Sequence, residues 1–357
     1  MRKVDWWRHY LHSLIRLNDG PWRWRVGLQA GLANGIPLTV FTAMGHQSDG
    51  LIAMLGAFTA LYFGRFSLTD RLRVLPLIAS GFTIAAVIGA YTSANAWLTI
   101  VGLVFVALVA AGLSFSFSVG PPGPMMFVLV AGVAGRLTAP PDLGGAGVNQ
   151  LRVGMLIAIG AFSAFLIVVA PLVIPAVRRR EGPSAPPGVR LSFAPFDDVS
   201  KIIMSRVVLA VTLSSLISIP LGMSHAYWVI MTAGVLLQTG HTLDVPTIRA
   251  IQRVVGTLLG GVIFSLLSRL HPSGFEIVVI VALGQCLTEV VIVRNYGLGL
   301  LFITPLALTI ATANRTAHPL AVSEDRILDT LLGAAIALTV LYGTEWLRSR
   351  LWQRVEA

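Results

Sequence analysis

"RVVGTLLGGVIF", residues 253–264, places an arginine at the head of an apolar stretch that runs on to Leu270, with small residues at Gly256, Gly260 and Gly261. A related phrase, "RVLPLIASGFTI", begins at Arg73, 180 positions earlier. Stretches of this kind recur along the whole chain. Of its 357 residues 55% are hydrophobic and only 12% charged, and the mean hydropathy is +0.79. Crossing a hydrocarbon layer of about 30 Å takes roughly 20 residues as a helix, so several of these stretches read as membrane spans. We place twelve, near 26–43, 50–64, 74–92, 97–116, 119–135, 152–176, 206–222, 226–240, 254–270, 275–293, 296–312 and 327–346. The expected fold is all-α, a polytopic membrane bundle of about 12 transmembrane helices surrounded by lipid.

The net charge of +10 is mainly a matter of topology. With the N-terminus inside, only Arg136, Arg152, Arg269, Arg315 and Arg326 of the 26 lysines and arginines fall on the outer side, which is the positive-inside pattern. No nucleic-acid partner is expected from that distribution. Both termini are expected in the cytoplasm, and the arginine-rich, lysine-poor composition suits a bacterial plasma membrane. Cys286 is the sole cysteine and lies in an apolar run, so neither a disulfide framework nor a cysteine metal site is expected. No cofactor is expected either.

Residues 1–25 lack the continuous apolar core of a cleavable signal. Read as a helix, they put Trp7, Tyr10, Leu11 and Leu14 on one face, as in a segment lying in the membrane interface, although a simple basic topogenic tail fits equally well. The segment "RRREGPSAPPGVRLSFAPFDD" (178–198) interrupts the hydrophobicity with proline, glycine and charge. It divides the chain into a first six-helix unit at 26–177, a cytoplasmic linker at 178–200, a second unit at 201–347 and a tail at 348–357. The units echo each other: Met44-Gly45-His46 against Met223-Ser224-His225, Arg73 and Gly81 against Arg253 and Gly261, and Arg152 against Arg326. An even number of spans in each unit makes this a parallel repeat, with a substrate pathway expected between the halves.

"YWVIMTAGVLLQTG" (227–240), "TIRAIQRVVGTLLGGVIF" (247–264), "RNYGLGLLFITPLALTI" (294–310) and "EDRILDTLLGAAIAL" (324–338) together resemble the membrane domain of the fusaric acid resistance and aromatic acid exporter family, the FUSC-like transporters. The resemblance is specific over roughly 215–345, where R-x-x-G-T-x-x-G and R-x-x-D-T-x-x-G occur in order. It is weaker in the first half, where Leu77 stands opposite Thr257 and Met155 opposite Asp329. It implies six-helix units working in pairs and efflux of aromatic or other organic acids. Longer members carry a sizeable soluble domain after the bundle, which is not seen here.

Candidate residues follow from charge in apolar surroundings. Arg253 and Arg249, with Arg73 and Arg65 at the pseudo-symmetric place, are candidates for binding small organic anions, because a planar guanidinium matches a carboxylate bidentately. The alternative for Arg253 is a side chain reaching for headgroups while Gly256, Thr257, Gly260 and Gly261 let a neighbouring helix approach. Tyr227, Trp228 and Tyr296 are candidates for stacking on an aromatic substrate, or else belong to the interfacial aromatic belt. Glu289 is the most deeply placed carboxylate, and such a group is a functional candidate by default. It is expected to couple transport to protons or, alternatively, to pair with Arg294. His46 and His225 occupy equivalent outer loops and are further candidates for proton coupling, because histidine is the side chain suited to changing charge near neutral pH; the alternative is a merely solvated loop residue. Arg326 and Asp329 are expected to serve as a helix cap or an interhelical hydrogen bond. "SVGPPGP" (118–124) and "NYGLGLLFITP" are expected to break spans five and eleven.

No Ser/His/Asp set, paired carboxylates or phosphate-cradling loop is present, so an enzyme is not the expected class. Three functions stay open at this level: a coupled exporter of organic acids, a passive organic-anion channel, and a non-transporting scaffold or enzyme. A homo-oligomer is compatible with each.

Overall fold

The structure is a computed structural model and describes residues 16–20, 22–180, 196–240, 242–313 and 318–355, with side chains as far as Arg350. Most of the expected interfacial helix and most of the linker lie outside the described residues. Among the described residues there are helices and no strands. We number them α1 Trp24–Ala43, α2 Gln47–Ala53, α3 Leu68–Thr92, α4 Ala96–Ser116, α5 Met125–Thr138, α6 Gln150–Val169, α7 Pro175–Arg180, α8 Asp198–Ser218, α9 Ala226–Leu237, α10 Asp244–Ser268, α11 Phe275–Val291, α12 Tyr296–Thr312 and α13 Pro319–Val355. Each of the twelve apolar stretches overlaps at least one of them. Six are long and apolar enough to cross a membrane: α3, α4, α6 with its 3-10 extension, α8, α10 and α13.

Several helices start where a side chain can take up a free backbone N–H. The side chains of Ser67, Asn95, Asn149, Asp197 and Asn295 accept from the amides of Asp70, Trp97, Arg152, Ser200 and Leu298. In lipid these caps matter more than in water, because an unpaired amide finds no solvent there. Large apolar side chains such as Ile84, Val101, Phe162, Val262 and Leu266 point outward from α3, α4, α6 and α10. A water-facing surface would not carry so many, whereas a lipid-facing one does.

Close packing comes from small residues. Gly27, Gly31 and Gly35, spaced four residues apart, form a stripe on α1 that lies on α11, and a β-carbon at Gly27 or Gly31 would come within 2.7 or 2.8 Å of a carbonyl oxygen of α11. Gly56 and Gly160 bring α6 and the segment after α2 into backbone contact. Span two is accordingly broken, with α2 giving way to a 3-10 turn at Gly56–Leu61. The expected break in span eleven is absent: Pro305 lies inside a continuous α12. Span five starts late, because residues 118–124 are not helical and α5 begins only at Met125.

The centre of the molecule is α9. Every residue from Trp228 to Leu237 is buried, the pattern of a helix with neighbours on all sides. On one side α9 runs antiparallel along α5. Arg136 Nε donates to the Ser224 carbonyl at 2.7 Å, Gly132 meets Tyr227, Gly234 meets Met125, and Gln238 Nε2 donates to the Pro122 carbonyl at 2.9 Å. On its other sides lie α8, α10 and α13. Twelve residues at 1.5 Å each make α9 only about 18 Å long, well short of a membrane's hydrocarbon thickness.

Candidate anion-binding site

Two arginines converge on consecutive turns of α9. Arg253 from α10 is 5% exposed; its Nε donates to Thr232 Oγ1 at 3.0 Å and its Nη1 to the Tyr296 hydroxyl at 2.6 Å. Arg326 from α13 is 3% exposed, and its guanidinium carbon lies 4.7 Å from the centre of the Trp228 ring. Trp228 and Thr232 are four residues apart, hence neighbours on one face of α9. The two cations are close enough to act on each other electrostatically. Arg326 Nε and Nη1 have no hydrogen-bond partner. Buried guanidinium donors without partners are costly, and the arrangement is suited to receiving an anion.

Further polar groups complete the cluster. Asp329, three residues beyond Arg326, is 2% exposed and leaves Oδ2 without a partner; the buried hydroxyls of Thr257 and Thr304 are likewise unpartnered. Arg249 sits one turn before Arg253 with its guanidinium 5.4 Å from the Tyr296 ring, so that Tyr296 touches both. His225 stacks on Trp228 at 4.2 Å, its Nδ1 is 3.4 Å from Asp325 Oδ2, and Tyr227 packs edge-on beside it. Burial draws the His225 imidazole below its ordinary value, against the opposing pull of Asp325.

The glycines named with Arg253 face other helices. A β-carbon at Gly256 or Gly260 would lie 2.7 or 2.6 Å from side-chain carbons of Leu300 or Thr304 on α12, and one at Gly261 would lie 3.2 Å from Ser323 Oγ on α13. Thr257 lies among them.

The remaining candidates lie elsewhere. Arg65 and Arg73 are exposed, whereas Arg71 is buried and donates to Gln29 Oε1 and the Ala60 carbonyl, both at 2.6 Å. His46 is exposed at the start of α2. Glu289 is buried where α11 meets α1, receives a long 3.4 Å hydrogen bond from Gln285, and lies 3.8 Å from Arg23. Arg294 does not serve as its partner but stacks on Trp22 at 4.3 Å. Sequence reasoning missed Arg326 as a possible ligand, although the parallel between R-x-x-D-T-x-x-G and R-x-x-G-T-x-x-G was a signal.

The cluster's residues on α9, α10, α12 and the first part of α13 fall in one stretch with a known family likeness. Residues 203–340 match the family model described as fusaric acid resistance protein-like. This FUSC-like segment is therefore where the arginine pair lies. The chain is 30% identical over 128 residues to an uncharacterized membrane protein, YvaC, of Bacillus subtilis (strain 168), an alignment covering 36% of this chain and 20% of that protein. It is 31% identical over 133 residues to an uncharacterized protein, ORF2, of Neisseria gonorrhoeae, covering 37% of this chain and 31% of that protein. The matches thus span less than a third of either relative's length. No solved structure matches the chain. With its long apolar helices, the chain is a membrane protein carrying a FUSC-like segment.

Proposed function

We propose that the protein is a transporter of the bacterial plasma membrane that exports aromatic or other amphipathic organic acids along a pathway between two pseudo-symmetric six-helix halves, with both termini inside. The observation that carries this reading is the Arg253–Arg326 pair, two buried guanidiniums on adjacent turns of a central helix inside the FUSC-like segment. A charge at such depth is expensive unless it serves a ligand or a pathway. Fusaric acid, in the family's description, is an aromatic carboxylic acid, which agrees with guanidinium donors flanked by Trp228, Tyr227 and Tyr296.

The two-half arrangement draws support from packing. In the first half α3 lies against α5 and α6, and α1 against α6; in the second half the corresponding α10 lies against α12 and α13, and α8 against α13. The cross-contacts correspond as well, with α1 on α11 matched by α4 on α8. Helices that stop short of the membrane thickness occur at matching places, α2 and α9, a pattern associated with transport sites. Glu289, on the contact between α1 and α11, stays the candidate for proton coupling.

Flux of benzoate and of neutral benzamide from preloaded vesicles tests the reading, with and without a pH gradient. Benzoate efflux that responds to the gradient and falls at least about tenfold in Arg253→Ala, with benzamide leakage unchanged, is the expected result. Efflux that ignores the proton gradient, follows the imposed voltage and does not saturate indicates a channel. No carboxylate flux at all overturns the proposal in favour of a scaffold or enzyme.

A further inference from the structure

We infer that the furrow between α1, the end of α6 and α7 is a binding site for an anionic phospholipid, with an acyl chain lying along the furrow and the phosphate held by arginines at one end. The furrow encloses about 450 Å³ and is lined by Arg25, Leu28 and Leu32 of α1, Ile167 and Pro171 at the end of α6, and Val177 of α7. That volume is in the range of small-ligand sites. Arg25, Leu28 and Leu32 recur at the spacing that puts them on one face of α1. Opposite them α6 gives way to a 3-10 turn at Ala170–Val173, and the chain bends at Ile174 into α7, which sets Val177 against the furrow. None of these residues belongs to the Arg253–Arg326 cluster.

Charge complementarity selects the occupant. Arg25 precedes Leu32 by seven residues, about 10 Å along the helix, so the furrow runs from a cation to an apolar stretch, the order of a phospholipid's headgroup and chain. Gln29, also in the wall, accepts a hydrogen bond from Arg71 Nη1 at 2.6 Å, which puts a second guanidinium behind it. Arg178 and Arg179 are exposed and directly follow Val177. No Asp or Glu occurs in α1, α6 or α7; in the sequence Glu181 follows against Arg178, Arg179 and Arg180. A guanidinium offers five donors, so Arg25 can take a phosphate oxygen beside any other contact it makes. Basic pockets between membrane helices suit anionic headgroups, whereas a zwitterionic lipid brings its own cation toward the arginines.

The test is native mass spectrometry of the purified full chain with equimolar dioleoyl phosphatidylglycerol and dioleoyl phosphatidylcholine, which share their acyl chains and differ in net charge. The wild type is expected to retain the phosphatidylglycerol at least about fivefold in preference. Arg25→Gln combined with Arg178→Gln should bring that preference to within about twofold of one, while Arg348→Gln, on an exposed part of α13 away from the furrow, should leave it unchanged. Leu32→Trp, which fills the furrow, should lower the amount of bound phosphatidylglycerol at least about threefold. A wild-type preference near one overturns the inference, as does a preference unchanged in the arginine variant or undiminished binding in Leu32→Trp. Should the double variant fail to fold, Arg25→Gln alone decides. Displacement of the lipid by equimolar glycerol phosphate would mark a site for free phosphate and overturn it too. So would lipid that binds only after residues 1–15 are deleted, since that segment would then be the occupant of the furrow.

Discussion

His225 stands between a ring and a carboxylate, stacked on Trp228 and 3.4 Å from Asp325. Burial holds its imidazole below the ordinary 6.5, so within a window beneath that value the unfolded chain binds a proton that the folded chain does not. Folding stability is then fully present above pH ~6.5 and declines as the pH falls toward the folded value. The melting temperature in detergent should drop on acidification from pH ~7.5 to ~5.5, and His225→Gln should flatten that part of the profile. Glu289→Gln should leave benzoate binding intact but abolish the response of efflux to a proton gradient; an unaltered response removes Glu289 from coupling. Much of this residue-level picture was legible in the sequence, because Arg253, Glu289 and His225 stand out against apolar neighbours. The arginine pair was not, since Arg326 is 73 positions from Arg253 and only the packing of α13 beside α10 joins them. Helical phase hid another detail: Arg71 and Arg73 are about 200° apart around α3, so one is buried while the other faces out.

At the scale of elements, α10 and α12 are held together through Gly256 and Gly260. A methyl group at Gly256 would meet the Leu300 β-carbon at 2.7 Å and the Gly297 carbonyl oxygen at 2.8 Å, and backbone atoms cannot rotate away. Gly256→Ala should therefore cost about 1–3 kcal/mol of stability, read as a lowered melting temperature, while Gly112→Ala, with open space around it, should change little. The positions of the helices were legible from hydropathy, since length and apolarity suffice to mark them. Their interruptions were legible only in part: the proline-glycine run at 118–124 is not helical, as expected, but the other expected break is absent. Proline drew attention to "NYGLGLLFITP", yet Pro305 is accommodated inside α12, and the actual break follows α2, where Gly56 meets the backbone of α6. Such a break depends on the neighbour across the interface rather than on local sequence.

For the whole molecule, the residues before and after the 178–200 linker differ in the chemistry of their interiors. The interior of residues 26–177 holds an aromatic cluster, with Phe82 and Phe127 stacked at 4.4 Å and Tyr62 edge-on to Phe82 at 5.7 Å, and its buried Arg71 is hydrogen-bonded to Gln29 and Ala60, whereas in residues 201–347 the buried Arg326 keeps donors without partners. Calorimetry with benzoate should therefore give one bound carboxylate per chain, and two equivalent sites would contradict the proposed location. The short central helix has a further consequence. Where α9 stops, about 12 Å of a 30 Å hydrocarbon layer is left for its two ends to share, and any water admitted there steepens the local voltage gradient across the remaining 18 Å. An anion released from the Trp228–Thr232 face would cross the share of the membrane potential on the side it leaves by, the two shares adding to about 2.3 kcal/mol per charge for every 100 mV. The brevity of α9 would thus make the membrane voltage act directly on occupancy of the site.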